Sequence, residues 1–117
     1  MSAWHISHDN GRNRPLPLTF VYTGTAVFDL LLPGDSRSLK AKRSYVRPIV
    51  AALRRFEVSV AEVGLMDLHG RTQIGVAVIA PDAAHVSEVL DSCEKLVVGR
   101  PEVEFLSARR RLYGEDD

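Results

Sequence analysis

The sequence predicts an α+β sandwich in which a four-stranded antiparallel sheet carries two helices on one face. Apolar residues alternate with a period of two or run together in the segments predicted as strands, and they recur at helical spacing in two others. Gly, Pro and Asp separate these segments, so the order is β-α-β-β-α-β. Two right-handed crossovers of this kind give the ferredoxin-like topology, with strand order 4-1-3-2.

The first strand and helix have clear boundaries. Tyr22–Leu32 alternates between two faces, and the Pro-Gly-Asp turn that follows ends it. Ser36 or Ser38 can cap a helix that runs to about Arg55, and Pro48 is expected to kink or split it. The apolar stripe of this helix consists of Leu39, Val46, Ile49, Val50 and Leu53.

The remaining elements follow the same logic. Phe56–Val63 is predicted as the second strand, and the nearly all-apolar Arg71–Ala80 as a central strand covered on both faces. Asp82 is expected to cap a second helix that ends near Val98, before the last strand, Glu102–Tyr113. The core stripe of the second helix consists of Val86, Val89, Leu90, Cys93, Leu96 and Val97.

Composition limits the class of protein. The chain has 117 residues, 45% of them hydrophobic and 26% charged, which fits one globular domain. No apolar run approaches the roughly 18 residues that a membrane helix needs. A single cysteine and no zinc-type Cys/His spacing favour a reducing cytoplasm, with no metal or cofactor expected. Residues 1–19 are expected to be a disordered leader, 20–113 the domain and 114–117 an acidic tail.

Charge is balanced overall but unevenly placed. Fifteen basic residues match fifteen acidic ones, yet the segment between Ser36 and Phe56 holds seven basic residues and no acidic one. Four of them project within roughly 60° of each other on the first helix. We call this set the basic ridge; it consists of Lys40, Arg43, Arg47 and Arg54.

Two interpretations of the basic ridge stand side by side. In one, the ridge and Arg37 contact the phosphates of structured RNA or the ribosome, and the protein is a non-catalytic binding module. In the other, the ridge forms weak surface pairs with the acidic second helix, which carries Glu88, Asp91 and Glu94.

Further hypotheses concern the other surfaces. Val27, Leu31, Gly75, Ala77 and Ile79 give the sheet a small apolar face, which a second copy of the chain or a protein partner would cover. The third strand lacks the aromatic residues with which RNA-recognition domains stack bases, so that face is not expected to bind RNA by stacking.

A weaker hypothesis is an enzyme that handles a small anion or phosphoester. Gly34, Ser36 and Ser38 precede a helix start, where backbone amides can hold an anion. Asp67 and His69 cluster in one loop, but no catalytic residue is assigned. Lys42 points near the apolar stripe, where its stem is expected to pack while its ammonium snorkels or meets a carboxylate.

Several strings resemble the YlxP-like family, a bacterial family of unknown function. They are Ser-Leu-Lys-Ala-Lys-Arg at 38–43 and Val-Ser-Val-Ala-Glu-Val at 58–63, within a match from about Val21 to Tyr113. The resemblance implies a ferredoxin-like fold, and the family's gene neighbourhood implies a role near RNA or the ribosome. Family members often have Trp-Gln after the loop aspartate, whereas Asp67 is followed by Leu68-His69. They usually begin near Val21, so the leader is expected to lie outside the working protein.

Overall fold

A computed structural model describes residues 20–114 and contains the six predicted elements. These are β1 (Tyr22–Leu31), α1 (Leu39–Arg54), β2 (Ser59–Gly64), β3 (Arg71–Ala80), α2 (Ala83–Val98) and β4 (Glu104–Tyr113). The strands form one antiparallel sheet in the order β2-β3-β1-β4, which confirms the ferredoxin-like prediction. The predicted leader, 1–19, and residues 115–117 of the predicted tail lie outside the described residues.

The core lies between the sheet and the two helices. Strands β1 and β3 pair along their whole lengths, from Tyr22 opposite Ala80 to Leu31 opposite Arg71. Because side chains alternate across a strand, every second residue of β1 meets the helices. Phe28 and Leu30 are fully buried there.

Both helices are capped by predicted residues: Ser38, one of two candidates, caps α1, and Asp82 caps α2. The Ser38 hydroxyl accepts a hydrogen bond from the amide of Ala41, so Ser38 rather than Ser36 caps α1. The Asp82 carboxylate accepts from the amides of Ala84 and His85 at the start of α2. Neither helix of the described chain is long and apolar enough to cross a membrane.

Pro48 does not split α1, which is continuous from Leu39 to Arg54. Pro48 lies on the exposed side of the helix, where its ring meets solvent and not the sheet. Burial of Val46 and Ile49 on the opposite side anchors both halves of the helix. Packing therefore outweighs the backbone hydrogen bond that proline cannot donate.

The predicted core stripe of α1 is wrong at its first position. Leu39 is 43% exposed, while Lys42 is only 3% exposed and takes a place in the stripe. Leu39 is the first residue of the helix. The cause for Lys42 is a buried partner, described below.

Two strands begin later than predicted because turns precede them. The amides of Phe56 and Glu57 donate to carbonyls of the last turn of α1, and Glu57 adopts a left-handed φ of 61°. This conformation ends the helix before β2 can start at Ser59. Likewise the amide of Val103 donates to the carbonyl of Arg100, and this turn delays β4 to Glu104.

Strand β3 is central but covered on only one face within a single chain. Ile74, Val76 and Val78 are buried beneath the helices. On the other side Ala77 is exposed, and Ile79 is 68% exposed. A single chain thus covers one face of β3, and cover of the other face by a second copy or a protein partner stays a prediction.

Gly24 provides the first testable consequence of the packing. A Cβ atom there would collide with Val86 and press on Leu90, because α2 crosses β1 at this point. We expect Gly24→Ala to lower the free energy of unfolding by about 1–3 kcal/mol, measured by urea denaturation. Gly34→Ala is the matched control, since a Cβ at Gly34 meets nothing within 4 Å. Equal stability of the two variants would contradict this packing.

Candidate nucleic-acid interface

The basic ridge is exposed along the whole of α1. All four ridge residues have exposed side chains: Lys40, Arg43, Arg47 and Arg54. The helical rise places the first and last of them about 21 Å apart. Arg37 is also exposed just before the helix, where its Nε donates to the carbonyl of Gly34 at 3.3 Å.

Within residues 20–114, no ridge residue forms an ion pair. The carboxylates of α2 bind elsewhere, because alternation along β4 turns Arg110 toward the helices. Its Nη1 lies 2.8 Å from Asp91, and its Nη2 lies 3.1 Å from Glu94. Glu88 lies 4.0 Å from His85 of its own helix. The predicted surface pairs between the two helices are therefore not formed in the described part of the chain.

The pKa values of Arg110 and Tyr45 are shifted by the acidic groups that these residues bind. Burial disfavours the charged form of Arg110, but hydrogen bonds and charge from Asp91 and Glu94 outweigh it and raise the pKa of Arg110. Asp35, which precedes α1, accepts a hydrogen bond from the Tyr45 hydroxyl at 2.7 Å. That bond, with burial and the charge of Asp35, raises the pKa of Tyr45. Asp35 is thus held on a different flank from the basic ridge.

A shallow depression follows the basic ridge. It is lined by Lys40, Arg43, Ser44, Arg47 and Pro48. Since proline has no amide hydrogen, residue 48 cannot donate to the carbonyl of Ser44. The depression is basic and open to solvent, and it lies on a continuous helix.

The predicted anion loop is held by internal hydrogen bonds. Ser36 is buried, its hydroxyl donates to the carbonyl of His69 at 2.6 Å, and its amide donates to Pro33. The Ser38 hydroxyl caps α1, and Gly34 is exposed. Both hydroxyls therefore have structural partners, and anion binding at this loop stays a prediction.

Asp67 and His69 lie exposed in the loop between β2 and β3. This loop is tied to the one before α1, because the carbonyl of His69 accepts from Ser36 and that of Gly70 accepts from the amide of Leu32. Across residues 20–114, no three His, Cys, Asp or Glu side chains come together as metal ligands. The chemistry proposed for Asp67 and His69 stays a prediction.

Lys42 meets a carboxylate beneath the sheet, as one of the two sequence interpretations expected. Its Nζ lies 2.8 Å from Glu62 of β2 and donates to the carbonyls of Leu65, at 2.8 Å, and Met66, at 3.4 Å. The Thr72 hydroxyl donates to the same Glu62 carboxylate at 2.6 Å. The buried ammonium thus joins α1 to β2 and to the loop after it.

Sequence reasoning did not identify Glu62 as the partner, although a signal was present. Val58, Val60 and Glu62 share one side of β2, so a charged residue falls in line with the two apolar ones. A carboxylate at that position needs a buried cation. The local pattern does not say which cation, because Lys42 is twenty residues earlier in the chain.

The sheet face turned away from the helices is the second prominent surface, and we call it the open face. Its centre is apolar, and Asp29 lies near one end. Arg71 binds the Asp29 carboxylate at 2.7 Å, and Gln73 donates to it at 3.3 Å. Burial would raise the pKa of Asp29, but these hydrogen bonds and the charges of Arg71 and Arg109 lower it.

Comparison with known proteins identifies the family of this chain. The chain is a ferredoxin-like domain, and it belongs to the family described as Protein of unknown function (DUF503), whose model matches residues 23–110. The resemblance seen in the sequence is therefore confirmed.

One relative is the Uncharacterized protein YlxP of Bacillus subtilis (strain 168). The two are 30% identical over 80 residues, which cover 68% of this chain and 87% of the relative. The name of this relative assigns no activity, so the surfaces of the present chain are the guide to its function.

The buried pair gives a test of how α1 is positioned. We expect Lys42→Met to lower the free energy of unfolding by about 1–3 kcal/mol, because Glu62 then lacks its cation. Glu62→Met should also destabilise. The double variant should lose less than the sum of the two, as measured by urea denaturation in a double-mutant cycle. Strict additivity would mean that the two groups do not interact.

Asp29 gives a test in acid. Its pKa is lowered by folding, so its charge stabilises the native state above the ordinary carboxyl pKa of about 4. That contribution is lost as the pH falls through the lower folded-state pKa. We expect the wild type to lose more stability than Asp29→Asn on acidification, measured by urea denaturation at stepped pH. Parallel pH profiles would contradict the assignment.

Proposed function

We propose that the protein is a non-catalytic binding module that docks on structured RNA, in the setting of the ribosome, through the basic ridge. The observation that carries this proposal is the exposed row of cations on α1 with no ion-pair partner among residues 20–114. Uncompensated cations in a row attract a polyanion and release its counterions on contact.

The kind of nucleic acid follows from what the ridge contains. Proteins that bind single strands combine a basic groove with aromatic side chains on which bases stack. Along the exposed flank of α1 there are cations, Ser44, Pro48 and Ala51, but no aromatic residue. Tyr45 belongs to another flank and is engaged with Asp35. A rigid row of cations suits the phosphate backbone of a folded RNA.

The rest of the molecule supports a docking role for α1. The buried Lys42–Glu62 pair fixes the orientation of the helix, so the ridge residues start from a defined backbone. Arginine dominates the ridge, and its planar guanidinium binds phosphate oxygens in pairs. A role close to RNA is also what the family resemblance implies, and the cytoplasm is the compartment in which we place it.

Fluorescence polarisation with a labelled ribosomal RNA hairpin, read across a salt series, tests the proposal. Four phosphate contacts should give a log–log slope of affinity against salt of about −2.8 to −3.6. Reversing Arg43, Arg47 and Arg54 to Glu should weaken binding at least about tenfold and flatten the slope by about one for each residue.

The matched control is Lys95→Glu, which reverses an exposed cation in the last turn of α2. This variant should bind like the wild type, because Lys95 lies outside the ridge. Affinity that does not respond to salt, or that survives the triple reversal, would reject the proposal. Equal weakening by Lys95→Glu would show that only net charge matters.

A further inference from the structure

The open face is a continuous surface with few charges at its centre. It presents Thr25 and Val27 of β1, Gly75 and Ala77 of β3, and Ala61 of β2. These small side chains line a concavity of about 410 Å³. Beside it Val63 is 49% exposed and Ile79 is 68% exposed. Apolar surface of this kind is favourably removed from water.

The sequence of β3 is also typical of a strand that is covered on both faces. A strand with one face in water alternates apolar and polar residues, whereas a strand covered on both faces is apolar throughout. From Ile74 to Ala80 β3 has no polar side chain, yet a single chain covers only one of its faces. A second layer over the open face would account for this composition.

The dimensions of the open face suit a specific interface. Its four strands comprise ten, six, ten and ten residues. At ~3.3 Å per residue and ~4.8 Å between strands, the face measures about 570 Å². Two such faces in full contact bury at most about 1,100 Å², close to the roughly 1,000 Å² expected of a biological interface.

Charged residues at the edges of the sheet suit a second copy as the occupant of the open face. Arg109 and Arg111 lie on the open face along β4, opposite Val27 and Thr25. At the far edge of the sheet, exposed Glu57 comes two residues before Ser59, which shares a row with Thr25 through Ala77. The open face of β4 thus carries two basic groups and, opposite Leu31, the exposed Glu104, while the turn before β2 carries Glu57.

We infer that two copies of this chain pair through their open faces, with a two-fold axis parallel to the strands. That axis places β4 over β2 of the other copy and brings Arg111 toward Glu57, twice in each dimer. The Arg111 guanidinium leans along β4 over the Tyr113 ring, 5.4 Å from the ring centroid.

This pairing leaves the basic ridge free. The helices cover the opposite face of each sheet, so α1 points outward from both copies. The inference therefore stands apart from the proposed function, and either one can fail alone.

Sedimentation equilibrium of the full chain at tens of micromolar tests the pairing. We expect a mass twice the 13.0 kDa of one chain. Ile79→Glu and Ala77→Glu should each weaken dimerisation at least about tenfold, because they bury an unpaired charge in the interface. Both positions are exposed in one chain, so the variants should keep the wild-type circular dichroism spectrum.

The control is Val98→Glu, which changes a residue that is 55% exposed on α2 and should remain dimeric. A wild-type monomer, or a dimer that tolerates both Ile79→Glu and Ala77→Glu, would overturn the inference. Orientation has its own test, since Arg111→Glu and Glu57→Arg should each weaken the dimer and their combination should restore it. Failure of the double variant to restore dimerisation would overturn the proposed axis.

Discussion

The ion pairs of Arg110 determine how charge is distributed over this domain. Strand alternation turns Arg110 toward the helical layer, where it meets Asp91 and Glu94. The acidic side of α2 is thereby satisfied by β4, and it is not available to α1. Each pair is partly exposed and contributes only about 0–1 kcal/mol to stability. Its importance lies in leaving the cations of α1 without a counter-charge in the described chain.

A second constraint holds that row of cations in place. Lys42 lies on the inner side of the helix that bears the basic ridge, and it uses its ammonium group to bind Glu62 and two carbonyls of the β2–β3 loop. The same helix thus has buried charge on one side, which fixes its position, and exposed charge on the other, which is available to a ligand. The two roles fall to residues only one position apart, Lys42 and Arg43.

Local patterns predicted the architecture because its determinants are local. Strand alternation in β1, the cap at Asp82 and the apolar stripe of α2 can each be recognised from neighbouring residues. The errors arose where a distant residue decides, or where a residue adopts an unusual backbone conformation. Burial of Lys42 depends on Glu62, and the late start of β2 depends on a left-handed Glu57 that carries no glycine signal. Exposure of the basic ridge needed the structure, because only the structure shows which cations Asp91 and Glu94 bind.

The open face and the basic ridge lie on opposite sides of the molecule. The open face is apolar and suits a second protein layer, while the outward side of α1 is basic and suits a polyanion. A dimer of this design would present two basic ridges on opposite outer sides, and each could engage RNA independently.

Co-sedimentation with ribosomal subunits tests the central claim most directly. At low salt the protein should travel with the subunits, and high salt should release it because the contacts are with phosphates. The variant with Arg43, Arg47 and Arg54 reversed to Glu should stay at the top of the gradient under both conditions. Wild-type protein that never sediments with subunits, or that remains bound in high salt, would contradict the account.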